Sequence, residues 1–112
     1  PPAFLGHVGG DDFIVVCSPE QVYPLTERAV VDFERAADAL YDPGDAERGY
    51  AEVVKRDGQV QRASLVTLSI GVAVSTNRRD ADPRAIISIA SDMKTVAKSY
   101  EGSYVATDRR RA

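Results

Sequence analysis

Cysteine is nearly absent from this chain. Cys17 is the only one in 112 residues, so no disulfide can close within it. Such usage fits a reducing compartment, and the expected localisation is cytoplasmic. Cys17 ends an apolar run and reads as a small buried hydrophobe. The basic or helix-N-terminal setting that sharpens a thiol is missing around it. Long apolar runs are missing as well. None approaches the roughly 20 residues of a membrane helix, so no membrane insertion is expected. No secretory leader is visible, because Pro1-Pro2 runs into only a few apolar residues. Nor is there a strong charge of either sign. Fourteen basic and 17 acidic residues leave a net charge of −3, and nothing in that balance suggests a nucleic-acid or membrane surface. The one basic cluster, Arg109-Arg110-Arg111, reads as a solubilising tail. Internal repeats and low-complexity linkers are also lacking. What is present is 44% hydrophobic residues, enough for one small domain with a modest core.

The local patterns alternate between strand and helix. Phe4 to Val8 predicts a short strand and the β-branched run Phe13 to Cys17 a buried one, joined by a tight turn at Gly9-Gly10-Asp11-Asp12. Ser18-Pro19-Glu20-Gln21 is a helix start, with a Ser cap, Pro in the first turn and Gln three residues after the cap. Pro24 is expected to interrupt or restart that helix. From Thr26 the apolar residues Ala29, Val30, Phe33, Ala37, Leu40 and Tyr41 recur at helical spacing, predicting a helix that ends near Asp42-Pro43-Gly44. Asp57-Gly58 between β-prone runs predicts a hairpin. Val66, Leu68, Ile70, Val72 and Val74 then alternate with small residues, the clearest strand pattern in the chain. Its small face implies that a helix or a ligand packs closely there. Asp82-Pro83 caps another helix, whose apolar stripe is Ile86, Ile89, Ala90, Met93, Val96, Ala97 and Tyr100. Glu101-Gly102 ends it, and Ser103 to Thr107 is a last strand. The expected class is α/β, an α+β sandwich with helices packed on a mostly antiparallel sheet.

Two adjacent carboxylates sit at the tip of the first hairpin. A turn needs the glycines but not both acids. Paired carboxylates can hold a divalent cation through oxygen, and neighbouring glycines let the backbone approach a phosphate or a base. Together these are parts for metal-assisted phosphoryl transfer. The plain alternative is a turn with solvated acids.

The context of the tip resembles the GGDEF family, the diguanylate cyclase domains of bacterial signalling. Gly9-Gly10-Asp11-Asp12-Phe13 matches the family signature, with Asp12 for the usual Glu. Leu65 to Val74, "LVTLSIGVAV", looks like the family's strand around Ser-Ile-Gly. Ala97-Lys98, a Gly turn and a final strand follow in the expected order. The resemblance covers nearly the whole chain, residues 1–112, as the C-terminal portion of a single GGDEF-like domain. It implies the nucleotidyl-cyclase fold, related to the ferredoxin-like sandwich, with its N-terminal part missing here. It also implies two protomers, each binding GTP, with each 3′-hydroxyl attacking the other nucleotide's α-phosphate to give cyclic di-GMP. By this resemblance Asp11 and Asp12 are the catalytic acids, and Asp12 is the metal ligand for Mg²⁺ or Mn²⁺ bound with GTP. Gly9 and Gly10 lie near the guanine and sugar, and Lys98 reaches the triphosphate. Lys98 reads equally well as a solvated helix-end lysine. No cofactor is required for folding. A homodimer and an upstream receiver or sensor domain are the expected partners, and no nucleic acid is.

Several positions depart from the family pattern. The family's domain begins well upstream of the signature, so this chain is expected to be a fragment that lacks a complete active site and self-associates through exposed sheet edge. Asp12 is one methylene shorter than Glu, a change that metal geometry feels. His7 stands where the family usually has Arg. Gly102-Ser103-Tyr104 lacks the phosphate-binding Arg of the usual Gly-Arg-Asn, and Ser91 replaces a common Asp. Ala3 stands where the inhibitory site for cyclic di-GMP has its Asp. The reading is therefore a degenerate GGDEF domain, a regulatory or output module of a larger response-regulator or sensor protein, inactive as this chain alone. The alternatives are an active diguanylate cyclase in the full-length protein and a purely structural dimerisation or interaction domain.

Overall fold

The computed structural model describes residues 3–77 and 82–109. Of the arginine tail, Arg110 and Arg111 lie outside them. The first hairpin forms as expected: β1 (Phe4–Gly9) pairs antiparallel with β2 (Asp12–Val16). Helix α1 (Pro19–Asp38) starts at Ser18, whose Oγ donates to the Gln21 side-chain oxygen at 2.9 Å while its backbone N–H donates there at 3.3 Å.

Pro24 does not interrupt α1, contrary to the sequence expectation: the helix runs through it for 20 residues. An interior proline removes one backbone bond, to the carbonyl four residues earlier. Here that residue is the exposed Glu20, the second residue of the helix and within its first turn, where water can satisfy the carbonyl. Just beyond the proline, the buried Thr26 hydroxyl donates to the carbonyl of Val22 at 2.8 Å. At its other end α1 stops at Asp38, short of the expected Asp42-Pro43-Gly44. Those residues instead begin a separate helix, α2 (Pro43–Arg48), closed by Gly49 at φ +83°. Pro43 explains the error. It disfavours helix at Asp42, and it is itself well placed in the first turn of a new helix.

Next come β3 (Tyr50–Val54) and β4 (Val60–Ser64), an antiparallel pair around the expected Asp57-Gly58 turn. Gly58 adopts φ +85°, and Gln59 N–H donates to Asp57 Oδ1 at 3.0 Å. Arg48 and Arg62 approach the Tyr50 ring, at 5.3 and 4.6 Å from its centre, which ties α2 to this hairpin.

The alternating run from Val66 to Val74 yields only a short strand, β5 (Ser69–Val72). Before it two backbone N–H groups are bonded to side chains, while the Leu68 carbonyl accepts from Tyr104 N–H of the following strand at 3.1 Å. Val66 N–H donates to the Tyr41 hydroxyl at 2.9 Å and Leu68 N–H to Ser103 Oγ at 3.0 Å. A 3₁₀ turn, Ser75–Asn77, follows β5, and α3 (Pro83–Lys98) leads to β6 (Tyr104–Thr107). Asp82 caps α3 as expected, accepting from Arg84 N–H at 2.8 Å.

The fold is mixed α/β, but the strands of the described residues do not form one mostly antiparallel sheet. They pair two by two: β1 with β2, β3 with β4, and β5 with β6, the last pair parallel. Connection length explains this. A tight turn reverses the chain, whereas a helical crossover such as α3 returns it in the same direction.

The packed core is small and belongs to the β5–α3–β6 unit. Val72, Ala97 and Ala106 are buried there; the other buried apolar side chain among the described residues is Ala37 on α1. The radius of gyration is 17.0 Å, against about 13 Å for a compact domain of this length. The run Phe13 to Cys17, expected to be buried, is not: among the described residues its hairpin pairs with no further strand, and Phe13, Val15 and Val16 are exposed together with Phe4, Leu5 and Val8 of β1.

Candidate functional site

The tip of the β1–β2 hairpin is shaped by three local interactions. Gly10 sits at φ +55°, a conformation that L side chains rarely adopt. His7 Nε2 lies 2.8 Å from the Gly10 carbonyl oxygen. A carbonyl only accepts, so Nε2 carries the proton. The same imidazole stacks on Phe13, its partner in the strand register, with ring centres 4.7 Å apart. His7 therefore has a structural task at the tip. A methyl group added at Gly9 or Gly10 would meet nothing within 4 Å, so the backbone beside the acids is open to an approaching group.

The opposing wall comes from α3, and Gly71 on β5 decides where that helix lies. A methyl group at Gly71 would overlap the Ala90 carbonyl oxygen and the Lys94 backbone nitrogen, and would stand 2.9 Å from Lys94 Cα. The small face of the sequence pattern is thus covered by a helix. Close backbone packing at Gly71 places Lys94, whose Nζ reaches Asp12 Oδ1 at 3.0 Å across 82 residues of sequence.

That contact governs the chemistry of Asp12. The hydrogen bond from Lys94 is the main influence holding the carboxyl below its ordinary pKa, followed by the charge of the same ammonium. Desolvation opposes these, and Lys98 and His7 add still smaller contributions in the lowering direction. Neither partner is deeply buried: the Lys94 side chain is 32% exposed and that of Asp12 47%. The pair remains accessible to solvent and to ligands.

Between hairpin and helix lies an open cleft of about 260 Å³. Asp11 and Asp12 line it from the hairpin and Lys94 and Lys98 from α3, with residues 67–69 and Tyr100 completing it. The volume falls just below the ~300–1,000 Å³ usual for whole small-molecule sites, a size suited to the phosphate portion of a ligand. Of the residues singled out from sequence, Asp11, Asp12 and Lys98 come together here. Gly9 and Gly10 stand beside the cleft without lining it.

Lys94 is the residue that sequence reasoning missed. Its signal was the spacing: Lys94 and Lys98 are four residues apart and share a helix face. Among the described residues no group of three His, Cys, Asp or Glu side chains converges to hold a metal ion. Among the described residues the two adjacent acids are the carboxylates lining the cleft, and Lys94 already bonds one of them.

Ser103, where the family pattern has Arg, accepts the Leu68 N–H. Tyr100 and Tyr104 on either side of that turn stack with ring centres 3.9 Å apart. These contacts fix the exit of α3 at the cleft's edge. Comparison of the chain with protein-family models, with curated proteins and with solved structures finds no match.

Proposed function

We propose that this chain is a degenerate GGDEF-type domain: a regulatory module of bacterial cyclic di-GMP signalling that binds a guanine nucleotide through its phosphates. The finer fold assignment, to the nucleotidyl-cyclase type, belongs to the same proposal. One observation carries it. Asp11 and Asp12 of the Gly-Gly-Asp-Asp-Phe hairpin and Lys98 of the Ala-Lys helix line one cleft, which supports the reading. The order of elements around that cleft agrees: hairpin, helix, then a Ser-Ile-Gly strand joined through a helix to a final strand.

The degenerate character rests on Asp12 and Ser103. The Asp12 carboxylate is engaged by a lysine, and Ser103 supplies a backbone contact rather than a charge for phosphate. A second reading, an active diguanylate cyclase using Mg²⁺ or Mn²⁺ in the full-length protein, draws on the same pairing of acids with Lys98. Both readings include a homodimer, which the exposed apolar residues of β1 and β2 support.

The test is to incubate the protein with GTP and Mg²⁺ or Mn²⁺, measure binding by calorimetry and separate the nucleotides by chromatography. GTP binding without turnover is the expected result. Cyclic di-GMP that disappears in Asp12→Ala would establish the cyclase reading instead. Neither binding nor product would leave an interaction domain.

A further inference from the structure

We propose that Lys94 is a built-in cation of this cleft: its ammonium takes the place of a divalent ion at Asp12, so the cleft excludes metal and binds nucleotide phosphates without it. Only the identity of the anion rests on the functional reading above. The exclusion of metal rests on the geometry alone.

Three observations carry it. First, Lys94 Nζ donates to Asp12 Oδ1 at 3.0 Å. A divalent ion bound at the same carboxylate would stand within a few ångströms of a positive charge, where repulsion is strong even through a solvent-rich medium. Second, the lysine is held in place. Its backbone is pressed against Gly71, a contact no other residue type at position 71 allows without a shift. Third, Lys98 lies one helical turn further along, and the charges of both lysines act on Asp12. Asp11, Asp12, Lys94 and Lys98 balance to zero within the cleft, so the acids need no added cation. The accessible part of Lys94 and the Lys98 ammonium remain to meet phosphate oxygens as point charges. The open backbone at Gly9 and Gly10 leaves room beside them.

The decisive probe is Mn²⁺ alone, followed by paramagnetic broadening of the backbone amide signals of residues 9–13. In the unaltered protein these signals should hold at Mn²⁺ concentrations that bleach an exposed carboxylate pair. In Lys94→Met they should broaden selectively, at Mn²⁺ concentrations lower by about tenfold or more. Selective broadening in the unaltered protein, or none in a folded Lys94→Met, overturns the proposal. Circular dichroism and the stacked His7 ring signals verify that the variant is folded. Asp12→Asn, nearly the same shape, is the second variant. It frees the lysine and leaves the single carboxylate of Asp11 beside an unpaired ammonium, and so should not gain Mn²⁺ binding.

GTP binding is then compared in EDTA and in excess Mg²⁺. Equal or tighter binding in EDTA is expected, with loss of the EDTA binding in Lys94→Met and strengthening in Asp12→Asn. GTP binding that requires Mg²⁺ in the unaltered protein contradicts the proposal. If GTP binds under neither condition, the functional reading fails, while the Mn²⁺ result still decides the role of Lys94. A lysine that merely latched the hairpin to the helix would loosen equally in both variants and alter no ion preference, which also overturns it.

Discussion

The two walls of the cleft are built differently. The α3 wall belongs to a packed unit in which Ala97 is fully buried and β5 meets the helix backbone at Gly71. The hairpin wall is held chiefly by its own turn, by the His7–Phe13 stack, and by one ion pair to the other wall. Phe4, Leu5 and Phe13 remain exposed on it. The lesson is a division of labour. The packed wall fixes where the cations stand, and the thinly held wall brings the acids to them. A ligand bridging the walls would stabilise the hairpin far more than the platform, because local opening is governed by the weakest-held unit.

Adding bulk at the platform breaks this contrast most severely. Gly71→Ala forces a methyl group into the α3 backbone, and overpacking of this kind costs about 1–3 kcal/mol. Urea unfolding should show that loss. Amide exchange should show the damage in α3 and β5, with the Lys94–Asp12 pair lost. A variant as stable as the parent would mean that the helix slides without consequence. Damage to the hairpin alone is the next largest effect. Gly10→Ala meets no atom but places a Cβ at φ +55°, worth about 1–2 kcal/mol of conformational strain. The loss should appear as faster exchange in β1 and β2, with α3 protection unchanged.

Asp82→Ala removes the α3 cap and should cost about 1 kcal/mol, read as fraying of the first turn of α3. The hairpin should not respond, since the cap lies at the far end of the helix from Lys94 and Lys98. The smallest effect is that of pH. Asp12 is more acidic folded than unfolded, so its contribution to stability is complete above the unfolded carboxyl pKa. It is lost as pH falls through the depressed folded value. Acid should therefore loosen the hairpin from α3 before the platform responds. In Lys94→Met the Asp12 carboxyl should titrate at higher pH, followed through its side-chain carbon signal. An unchanged titration would place the origin of the shift elsewhere.

Some of this architecture was legible because it is local. The turns at Gly10 and Gly58, the caps at Ser18 and Asp82, and the helical stripe of α3 each involve residues within a few positions of one another. The acids of the site were legible too, since Asp11 and Asp12 stand together at a turn that needs neither. Other features were misread where a local signal met a stronger constraint. Pro24 reads as a breaker, but the one bond it removes is near an exposed helix end. Asp42-Pro43 reads as an end, but proline is also a good beginning. The run from Val66 to Val74 carries strand alternation, yet strand pairing holds only where β6 lies beside it, at residues 69–72.

By itself, then, the sequence determined the turns, the caps, the helix faces and the chemical character of the hairpin tip, because backbone conformation and side-chain periodicity act over a few residues. Only the tertiary structure decided that β5 and β6 run parallel, that α3 lies close enough to touch Gly71, and that Lys94 meets Asp12. Those depend on which surfaces bury one another. The local patterns mark the acids at a turn and two lysines on one helix face, but nothing in them says that the two meet across 82 residues.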